Sequence, residues 1–378
     1  MTGRRICTRC AMDTSVPDIE FDAAGVCNYC RAARLRMDRE NYAGDKHSGR
    51  LEALIADVKR EGAAKPYDCI IGVSGGVDSS YVAYLVKRRF GLRPLAVHFD
   101  NGWNSDLAVG NIERLLKNLE IDLYTHVVDW EEFRDLQLAF LKSSVANCEI
   151  PTDHGIIALL YRTAARYGIR YVLHGGNIAT ESIMPGSWME NALDYRFLRA
   201  IHRRFGTRRL KTFPTLSLPR LAYYTFVRRI RYVGVLNYMV YDKEQAMGFL
   251  EAALGWRRYE DKHFESTYTR WFQGCLLPQK FGIDKRRAHL SSLIVSGQKT
   301  REEALKELEH EICDPDMARE LVLYVCRKFA LSPTEFDAIM TAPPKGVADY
   351  PNSEWLLGRL APLVARVKAL ATARGTAG

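Results

Sequence analysis

Residues 69–80 read Cys-Ile-Ile-Gly-Val-Ser-Gly-Gly-Val-Asp-Ser-Ser, a short apolar run followed by a turn with two glycines. A short apolar run bounded by turn signals is typical of a buried strand. Residues 81–90 then carry apolar side chains at helical spacing, with three basic residues at 87–89 and Gly91 after them, as is common at a helix C-terminus. The stretch therefore predicts a strand, a glycine turn and a helix.

The glycine turn predicts a site for an anion. Backbone N–H groups of Gly75 and Gly76 would lie at the helix N-terminus, with the Ser74, Ser79 and Ser80 hydroxyls beside them. The Gly-Lys-Ser/Thr ending of a Walker A loop is missing, and Asp78 stands in the loop instead. Because a carboxylate repels phosphate unless a divalent cation bridges them, we expect Mg²⁺ with a nucleotide. Capping of the helix by Asp78 and the serines is the alternative.

The pattern of strands and helices continues outward from this unit. Strands are expected at residues 95–99, 123–128 and 170–174, and helices at 51–60, 111–119, 131–145 and 156–167. This alternation predicts an α/β fold with a parallel sheet whose ligands bind at the carboxyl ends of the strands. After residue 177 the alternation is expected to stop, leaving helices and loops, one of them a helix at 300–309 with a capping box.

Four of the nine cysteines form two Cys-x2-Cys pairs, Cys7 with Cys10 and Cys27 with Cys30, separated by sixteen residues. This spacing is typical of a tetrahedral zinc site, and the metal would supply folding free energy to a short segment. Since four thiolates leave no open position for substrate, the predicted zinc is structural. An iron-sulfur cluster and unbound cysteines are the alternatives.

The chain has a hydrophobic fraction of 47% and a net charge of +9, and residues 195–241 contain eleven Lys or Arg and no acid. This charge predicts an anionic ligand, which could be nucleic acid, a nucleotide-linked metabolite or a membrane surface. For the basic stretch 196–231, a nucleotide diphosphate, an acidic partner, anionic lipid and a solvated helical face all remain open.

Three parts are expected along the chain. They are a zinc-ribbon-like four-cysteine module at residues 1–45, an α/β domain at 50–240, and a mostly helical region at 241–378 that contributes Lys and Arg to the site. No apolar stretch approaches the roughly 18–20 residues that span a bilayer, and the N-terminus lacks an apolar signal core. A cytoplasmic location is therefore expected.

The run at residues 74–80 resembles the PP-loop of the ATP pyrophosphatases, enzymes of HUP-like (adenine nucleotide alpha hydrolase-like) fold that cleave ATP to AMP and pyrophosphate. The resemblance implies that three loops hold ATP, with these residues: Val73, Ser74, Gly75, Gly76, Val77, Asp78, Ser79, Ser80, Phe99, Asp100, Gly175, Gly176 and Asn177. It implies that Asn177, Thr180 and Glu181 face the substrate. A distant lysine often returns to the β and γ phosphates in such enzymes, so the implied catalytic set is Asp78, Lys280, Lys285 and Arg286. As a basic run, residues 280–289 could equally be a solvated helix face.

Across almost the whole chain the arrangement resembles the N-acetyl sugar amidotransferase family (WbpG/PseA-like) of bacterial surface-polysaccharide biosynthesis. The resemblance is carried by the cysteine pairs and residues 73–80, 98–103, 173–182, 277–293 and 300–308. It implies that the acetamido oxygen of a nucleotide-linked N-acetyl sugar attacks the α phosphate of ATP. Ammonia then displaces AMP to leave an acetamidino group, in lipopolysaccharide O-antigen or a related glycan.

No glutaminase is recognisable in the sequence, since residue 2 is a threonine and Cys7 belongs to a Cys-x2-Cys pair. The family resemblance therefore implies separate glutaminase and cyclase-like ammonia-channel subunits, and no nucleic-acid partner. The rival class is a PP-loop enzyme that thiolates tRNA. Such enzymes commonly need a sulfur-carrying cysteine pair near ATP, and Cys69 and Cys148 have no close partner in the sequence. A degenerate ATP-binding scaffold is the non-enzymatic alternative.

Overall fold

The computed structural model describes residues 4–41, 43, 49–259, 265–356 and 358–359. Five strands form one sheet: β1 (Cys69–Gly72), β2 (Pro94–Asp100), β3 (Asp122–Val127), β4 (Tyr171–His174) and β5 (Arg231–Gly234). Their order is β3-β2-β1-β4-β5, and every neighbouring pair is parallel. The loop that follows β1 therefore lies at the centre of the carboxyl edge of the sheet.

Helices before and around the sheet are α1 (Asn28–Glu40), α2 (Arg50–Gly62), α3 (Val77–Tyr84), α4 (Asp106–Leu119), α5 (Trp130–Ser143), α6 (Ile150–Arg166), α7 (Ile178–Glu181), α8 (Tyr195–Phe205) and α9 (Leu218–Ala222). The later helices are α10 (Lys243–Leu254), α11 (Thr267–Trp271), α12 (Lys285–Val295), α13 (Arg301–Glu307), α14 (Pro315–Phe329) and α15 (Pro333–Thr341). Segments of π-helix continue three of them, at Leu85–Arg89, Tyr223–Val227 and Phe272–Phe281. Short 3-10 turns lie at Gly186–Trp188, Val235–Tyr238 and Val347–Asp349.

The sheet is covered by helices on both faces. Ile70 of β1 packs in the core that contains α5 and α6, whereas Cys69 and Ile71 pack in the core that contains α2, α3, α4 and α10. A slip of one residue would exchange these faces, so burial on both sides fixes the register of β1. The position of the following loop is fixed with it.

The predicted α/β fold with a parallel sheet is confirmed, and β1 to β4 and α2 to α6 lie where the sequence predicts strands and helices. The capping box at Thr300 and Glu303 also begins α13 as expected. The expectation that alternation stops after residue 177 is wrong, because β5 pairs in parallel with β4. This strand has only four residues at the sheet edge, and Arg231 and Tyr232 are exposed, so it lacks a buried apolar run.

Within the described ranges, no helix has both the length and the apolar character needed to cross a membrane. The three-part division of the chain stays a prediction. Its first boundary falls largely on residues 42 and 44–48, which lie outside the described residues.

Candidate functional site

The loop between β1 and α3 is shaped by one glycine and two serines. Gly75 has a φ of +85°, and a Cβ there would lie 2.7 Å from the Ala108 carbonyl oxygen. The Ser79 hydroxyl donates to the Gly76 carbonyl at 3.1 Å, and the Ser74 N–H donates to the Ser79 hydroxyl at 3.3 Å. The loop thus passes directly into the first turn of α3, where backbone N–H groups without an intrahelical partner favour an anion.

Aromatic side chains from the segment after β5 hold this loop from outside. The Gly75 carbonyl accepts from the Trp256 indole N–H at 2.8 Å and from the Tyr259 hydroxyl at 3.0 Å. The Tyr241 hydroxyl donates to Oδ1 of Asp78. Burial raises the pKa of Tyr241 far above its ordinary value, so this phenol stays a donor and orients the carboxylate.

A cavity of about 540 Å³ opens beside the loop. Ser74, Gly76, Val77, Asp78 and Ser79 line it on the loop side. The opposite wall is formed largely by α12 and the segments before and after it, within residues 265–317. A cavity of this size is in the range of small-molecule sites.

Lys285 lies on the far wall of this cavity. It is the first residue of α12, its side chain is 8% exposed, and Nζ lies 4.0 Å from Oε2 of Glu149. Its ammonium also lies 5.5 Å from the centre of the Phe272 ring. A buried cation held at ion-pair distance can be redirected to a phosphate more readily than one fixed by short hydrogen bonds.

Arg286 also lines the cavity, but its guanidinium is engaged. Nε and Nη2 donate to Asp284 at 3.1 and 2.9 Å, and Nη1 donates to the His310 carbonyl at 3.0 Å. These bonds tie the start of α12 to the loop after α13. The geometry favours a positioning role for Arg286 within the cavity wall.

Lys280 is not among the residues that line the cavity, contrary to the expectation for a phosphate contact. Its Nζ donates to the Ser144 hydroxyl at 2.8 Å and to the Ile339 carbonyl. Gly282 adopts a φ of +66° and ends the preceding π-helical segment, so the chain turns between the two lysines. The structure therefore places Lys285, and not Lys280, in the lining of the cavity beside the loop.

Lys285 lies near the carboxylates of Glu149 and Asp153, and Glu181 lies near Asp153. Burial and the charge of Glu149 raise the pKa of Asp153 to about 7, and Lys285 opposes this increase. Glu149 accepts from the Thr269 hydroxyl at 2.5 Å. Glu181 raises the pKa of Asp153 further and lines the cavity together with Thr180.

The loop after β2 does not present its predicted side chains to the cavity. Phe99 is buried; its ring stacks on that of His126 at 5.9 Å and meets that of Phe133 edge to face at 6.0 Å. Asp100 Oδ1 accepts from the Gly102 N–H at 2.9 Å and from Asn104 Nδ2 at 3.2 Å. Both side chains make contacts at the end of β2, and neither lines the cavity.

The loop after β4 supports the site without lining the cavity. Gly175 packs against the backbone of Asp78, and Gly176 donates its N–H to His174 Nδ1 at 3.1 Å. Asn177 is 4% exposed, and its Oδ1 caps α7 by accepting from the Thr180 N–H at 2.9 Å. The loop thereby fixes α3 and α7 against each other.

The two ends of the implied ATP-binding run point inward. The Val73 side chain is 5% exposed, and its N–H donates to the Val97 carbonyl as an extension of the sheet. Ser80 is fully buried. These two residues anchor the loop, whereas the residues between them face the cavity or form its rim.

The four cysteine sulfurs of the N-terminal module all lie within 4.8 Å of one another. The Sγ–Sγ distance is 3.9 Å between Cys7 and Cys30 and 3.7 Å between Cys10 and Cys27. A tetrahedral ion with Zn–S bonds of about 2.3 Å requires about 3.8 Å between sulfurs. The sulfurs therefore fit one tetrahedral ion such as zinc, and they enclose too little space for a cluster of several irons.

The cysteine module rests on the wall of the cavity. Arg301 donates to the Cys7 carbonyl at 2.9 Å, and Arg287 donates to the Ala11 carbonyl at 2.9 Å. The Ala11 N–H in turn donates to the Ser291 hydroxyl of α12 at 3.1 Å. The module and the helix that carries Lys285 are thus joined through backbone groups next to the cysteines.

Several residues of the site are absent from the sequence-based prediction. Tyr241 contacts Asp78, Trp256 and Tyr259 line the cavity, and five basic residues line it as well: Lys243, Arg258, Arg270, His289 and Lys299. They come from segments far along the chain from the glycine loop. The sequence offers only a weak signal for them, an enrichment in aromatic and basic residues after β5.

A glycine turn with an aspartate, set between a central parallel strand and a helix, defines a PP-loop α/β protein. Residues 49–140 match the family model for NAD synthase, and residues 265–361 match the model described as LPS biosynthesis protein WbpG-like, C-terminal domain. Together these two matches support a WbpG-like PP-loop family for the chain. The WbpG-like match covers the helices of the wall that faces the PP-loop.

A curated relative is an uncharacterized protein, MJ1599, from Methanocaldococcus jannaschii, which is 28% identical over 157 residues. The match covers 42% of this chain and 53% of the relative, so the chain spans about half the length of that protein. Solved structures with weak overall similarity include the NH3-dependent NAD synthetase of Campylobacter jejuni (TM-score 0.29, 14% identity, 75% of this chain and 96% of that one). Another is the NMN synthetase of Francisella tularensis (TM-score 0.28, 16% identity, 56% and 87%).

Proposed function

We propose that the chain is an ATP-dependent, AMP-forming amidotransferase that acts on the acetamido group of a nucleotide-linked N-acetyl sugar. The observation that carries this proposal is the cavity itself, which joins a PP-loop to a wall made by the WbpG-like region. An ATP-binding loop facing a family-specific wall is the arrangement expected when one fold activates a particular substrate.

The PP-loop side is suited to the phosphates of ATP. The N-terminus of α3 and the hydroxyls of Ser74 and Ser79 offer donors to the β and γ phosphates. The carboxylates of Asp78 and Glu181 line the cavity and are the ligand type that Mg²⁺ prefers. When bound, Mg²⁺ would neutralise charge on the pyrophosphate leaving group. Lys285 lines the same cavity and would add positive charge where negative charge develops.

The reaction then proceeds in two displacements. The acetamido carbonyl oxygen attacks the α phosphorus and pyrophosphate leaves, which gives an imidoyl-adenylate. Ammonia attacks the imidoyl carbon, AMP leaves with the former carbonyl oxygen, and an acetamidino group remains. An amide oxygen is a poor leaving group by itself, so adenylation supplies the activation. The role of the chain is to position the reactants and stabilise the developing charge.

Basic residues on the cavity wall provide a place for the nucleotide diphosphate of the sugar. Lys243, Arg258 and Lys299 line the same cavity as Asp78. Arg258 is paired with Glu244 at 2.9 Å, and Lys299 contacts Glu307, so a bound diphosphate would compete with these carboxylates for the two cations. A diphosphate is the anionic group that such a set of cations recognises.

Ammonia is proposed to come from separate glutaminase and cyclase-like channel subunits. Cys69, Cys148 and Cys275 are buried, and burial raises the pKa of each thiol, so they are poorly suited to act as a glutaminase nucleophile. Ammonium should therefore support turnover of the isolated chain, whereas glutamine should not. The proposed setting is the biosynthesis of a surface glycan such as lipopolysaccharide O-antigen, in the cytoplasm.

Thiolation of tRNA is the second candidate function, and one observation favours it. Cys313 lines the cavity, and Cys275 lies beside it, a pairing that Cys69 and Cys148 do not offer. Burial raises the pKa of Cys275 to about 12 and also raises that of Cys313. Because the thiolate is the reactive form, this environment is unfavourable for a sulfur carrier at neutral pH.

The test compares substrates in one assay. Pyrophosphate release from ATP is measured with Mg²⁺ and isotopically labelled ammonium, using a panel of nucleotide-linked N-acetyl sugars or bulk tRNA. Release that depends on one sugar, with labelled nitrogen in the sugar product by mass spectrometry, supports the amidotransferase. Release with tRNA that is lost in Cys313→Ser would favour thiolation. ATP binding without release under either condition would favour the scaffold.

A further inference from the structure

The long connection between β4 and β5 carries an unbalanced charge. Residues 195–231 form α8, α9 and the π-helical segment that continues α9, and they contain no acidic residue. The eleven basic residues are Arg196, Arg199, Arg203, Arg204, Arg208, Arg209, Lys211, Arg220, Arg228, Arg229 and Arg231. Arg208 is neutralised by Glu131 at 3.0 Å, whereas the stretch as a whole keeps a large positive excess.

Helix α8 separates apolar from basic residues. Phe197, Leu198 and Ile201 are buried on the side that packs against α5, and Arg196 and Arg199 are exposed. The exposed side of α8 borders a groove of about 790 Å³ that also touches the first residues of α9. Its basic lining residues are Arg196, Arg199, Arg203 and Arg204. The groove thus joins the basic side of α8 to the start of α9.

Beyond the groove, the same segment exposes apolar side chains. Tyr223 is 46% exposed, Phe226 is 57% exposed and Val227 is 66% exposed. Arg220 and Arg229 flank them and are also exposed. Large apolar side chains grouped on a surface mark an interaction site more often than scattered ones do. We call α8 together with residues 217–229 the basic-apolar face.

We propose that the basic-apolar face docks this chain on the surface of an anionic phospholipid bilayer. Exposed Phe and Val can enter the interfacial region, while the surrounding arginines pair with lipid phosphates, as in peripheral amphipathic segments. The phosphates of RNA could also pair with the arginines, but RNA has no hydrocarbon region in which Phe226 and Val227 could be buried. An acidic protein remains as an outcome of the test. The proposal is independent of the reaction proposed above.

The test is co-sedimentation of the full chain with sucrose-loaded vesicles at about 0.1 M salt, where charges beyond about 10 Å are screened. Vesicles of phosphatidylcholine alone are compared with vesicles that also contain phosphatidylglycerol. We expect binding to the anionic vesicles only. Affinity should fall on the order of 100-fold in the triple variant Arg196→Gln, Arg199→Gln, Arg203→Gln. The double variant Phe226→Ser, Val227→Ser keeps the charge and should also weaken binding.

The matched control is Lys59→Gln, Lys117→Gln, Lys142→Gln, which removes the same charge from exposed positions on α2, α4 and α5. It should retain binding, and thermal unfolding checks that each variant folds. The proposal is overturned by lack of binding to anionic vesicles, or by equal losses in the control and the arginine triple. It is also overturned if the basic-apolar variants bind vesicles normally and instead lose binding to tRNA or to an acidic protein.

Discussion

The two walls of the cavity differ in how their residues reach it. The PP-loop wall comes from one continuous stretch, residues 74–79, whose turn is imposed by Gly75 and by the serine hydroxyls. The opposite wall comes from helices of residues 265–317, held in place by contacts with α1, α7 and the cysteine module. Local chemistry determines the first wall, whereas the fold of the whole chain determines the second.

Lys280 and Lys285 illustrate how the helical wall depends on the fold of the whole chain. Lys280 and Lys285 belong to the same basic run, yet one caps the Ile339 carbonyl and the other lines the cavity. The turn at Gly282 separates them, and nothing in the spacing of the run tells which lysine faces the loop. The predictions below separate the effects of the two walls, from the largest expected effect to the smallest.

On the PP-loop wall, Asp78→Asn should reduce pyrophosphate release by about 10²–10³-fold, because a metal-binding carboxylate is replaced by a neutral amide. Tyr241→Phe keeps the carboxylate and removes only the hydroxyl that orients it, so its loss should be about tenfold. Steady-state pyrophosphate assays at several Mg²⁺ concentrations measure both. A loss in Tyr241→Phe as large as that in Asp78→Asn would mean that Asp78 is not the principal Mg²⁺ ligand.

On the helical wall, Lys285→Met should reduce pyrophosphate release by about 10²-fold, since its charge lies in the lining of the cavity proposed to hold the phosphates. Lys280→Met is the matched control five residues away. This variant should keep turnover within a few-fold of that of the unaltered chain. It should lower the free energy of unfolding by about 1–3 kcal/mol, because the Ile339 carbonyl loses its donor. Turnover and urea unfolding are measured for both variants. The two measurements together show which lysine contacts phosphate and which one stabilises the fold. The reverse pattern would assign the phosphate contact to Lys280.

Zinc removal tests whether the cysteine module supports the helical wall. Incubation with a strong chelator, or the variant Cys10→Ser, should lower the unfolding temperature, because structural zinc contributes folding free energy. ATP binding should weaken in parallel through Ser291 and Arg287 on α12. Metal content and nucleotide affinity are measured on the same sample. Zinc loss with unchanged ATP affinity would mean that the two parts are independent.

The smallest expected effect is a pH-dependent change in the free energy of unfolding, caused by Asp153. The pKa of this residue is raised to about 7. Because its ordinary value is near 3.8, the folded chain binds more protons than the unfolded chain between these pH values. The stability that Asp153 contributes is therefore greatest below pH 4 and is lost as the pH rises through 7. Asp153→Asn should raise the free energy of unfolding more at pH 8 than at pH 5, by about 2 kcal/mol. Urea titrations at the two pH values check this, and an equal gain at both would contradict the burial argument.

The sequence predicts the parts of this protein that depend on neighbouring residues. The alternation of strands and helices, the glycine turn and the spacing of the cysteine pairs all reappear in the structure. The four-residue strand β5 was missed because its own residues carry little strand signal and pairing with β4 stabilises it. The roles of Tyr241, Trp256 and Tyr259 arise from long-range contacts that no local pattern records.

The loops after β2 and β4 show a different limit of prediction from the sequence. Their place at the carboxyl edge of the sheet follows from the parallel topology, and the structure agrees. The direction of individual side chains does not follow, and Asn177 turns inward to cap α7. Topology thus predicts the neighbourhood of the site, and packing decides which atoms face the cavity.

The most direct test of the central claim is identification of the nucleotide products. The chain is incubated with Mg²⁺, ammonium, the nucleotide-linked N-acetyl sugars and ATP that is radiolabelled on the α phosphate, with Asp78→Asn alongside. The proposed PP-loop chemistry predicts labelled AMP with an equal amount of pyrophosphate, and loss of both in the variant. Labelled ADP with orthophosphate, or failure of the intact chain to bind ATP with Mg²⁺, would contradict it.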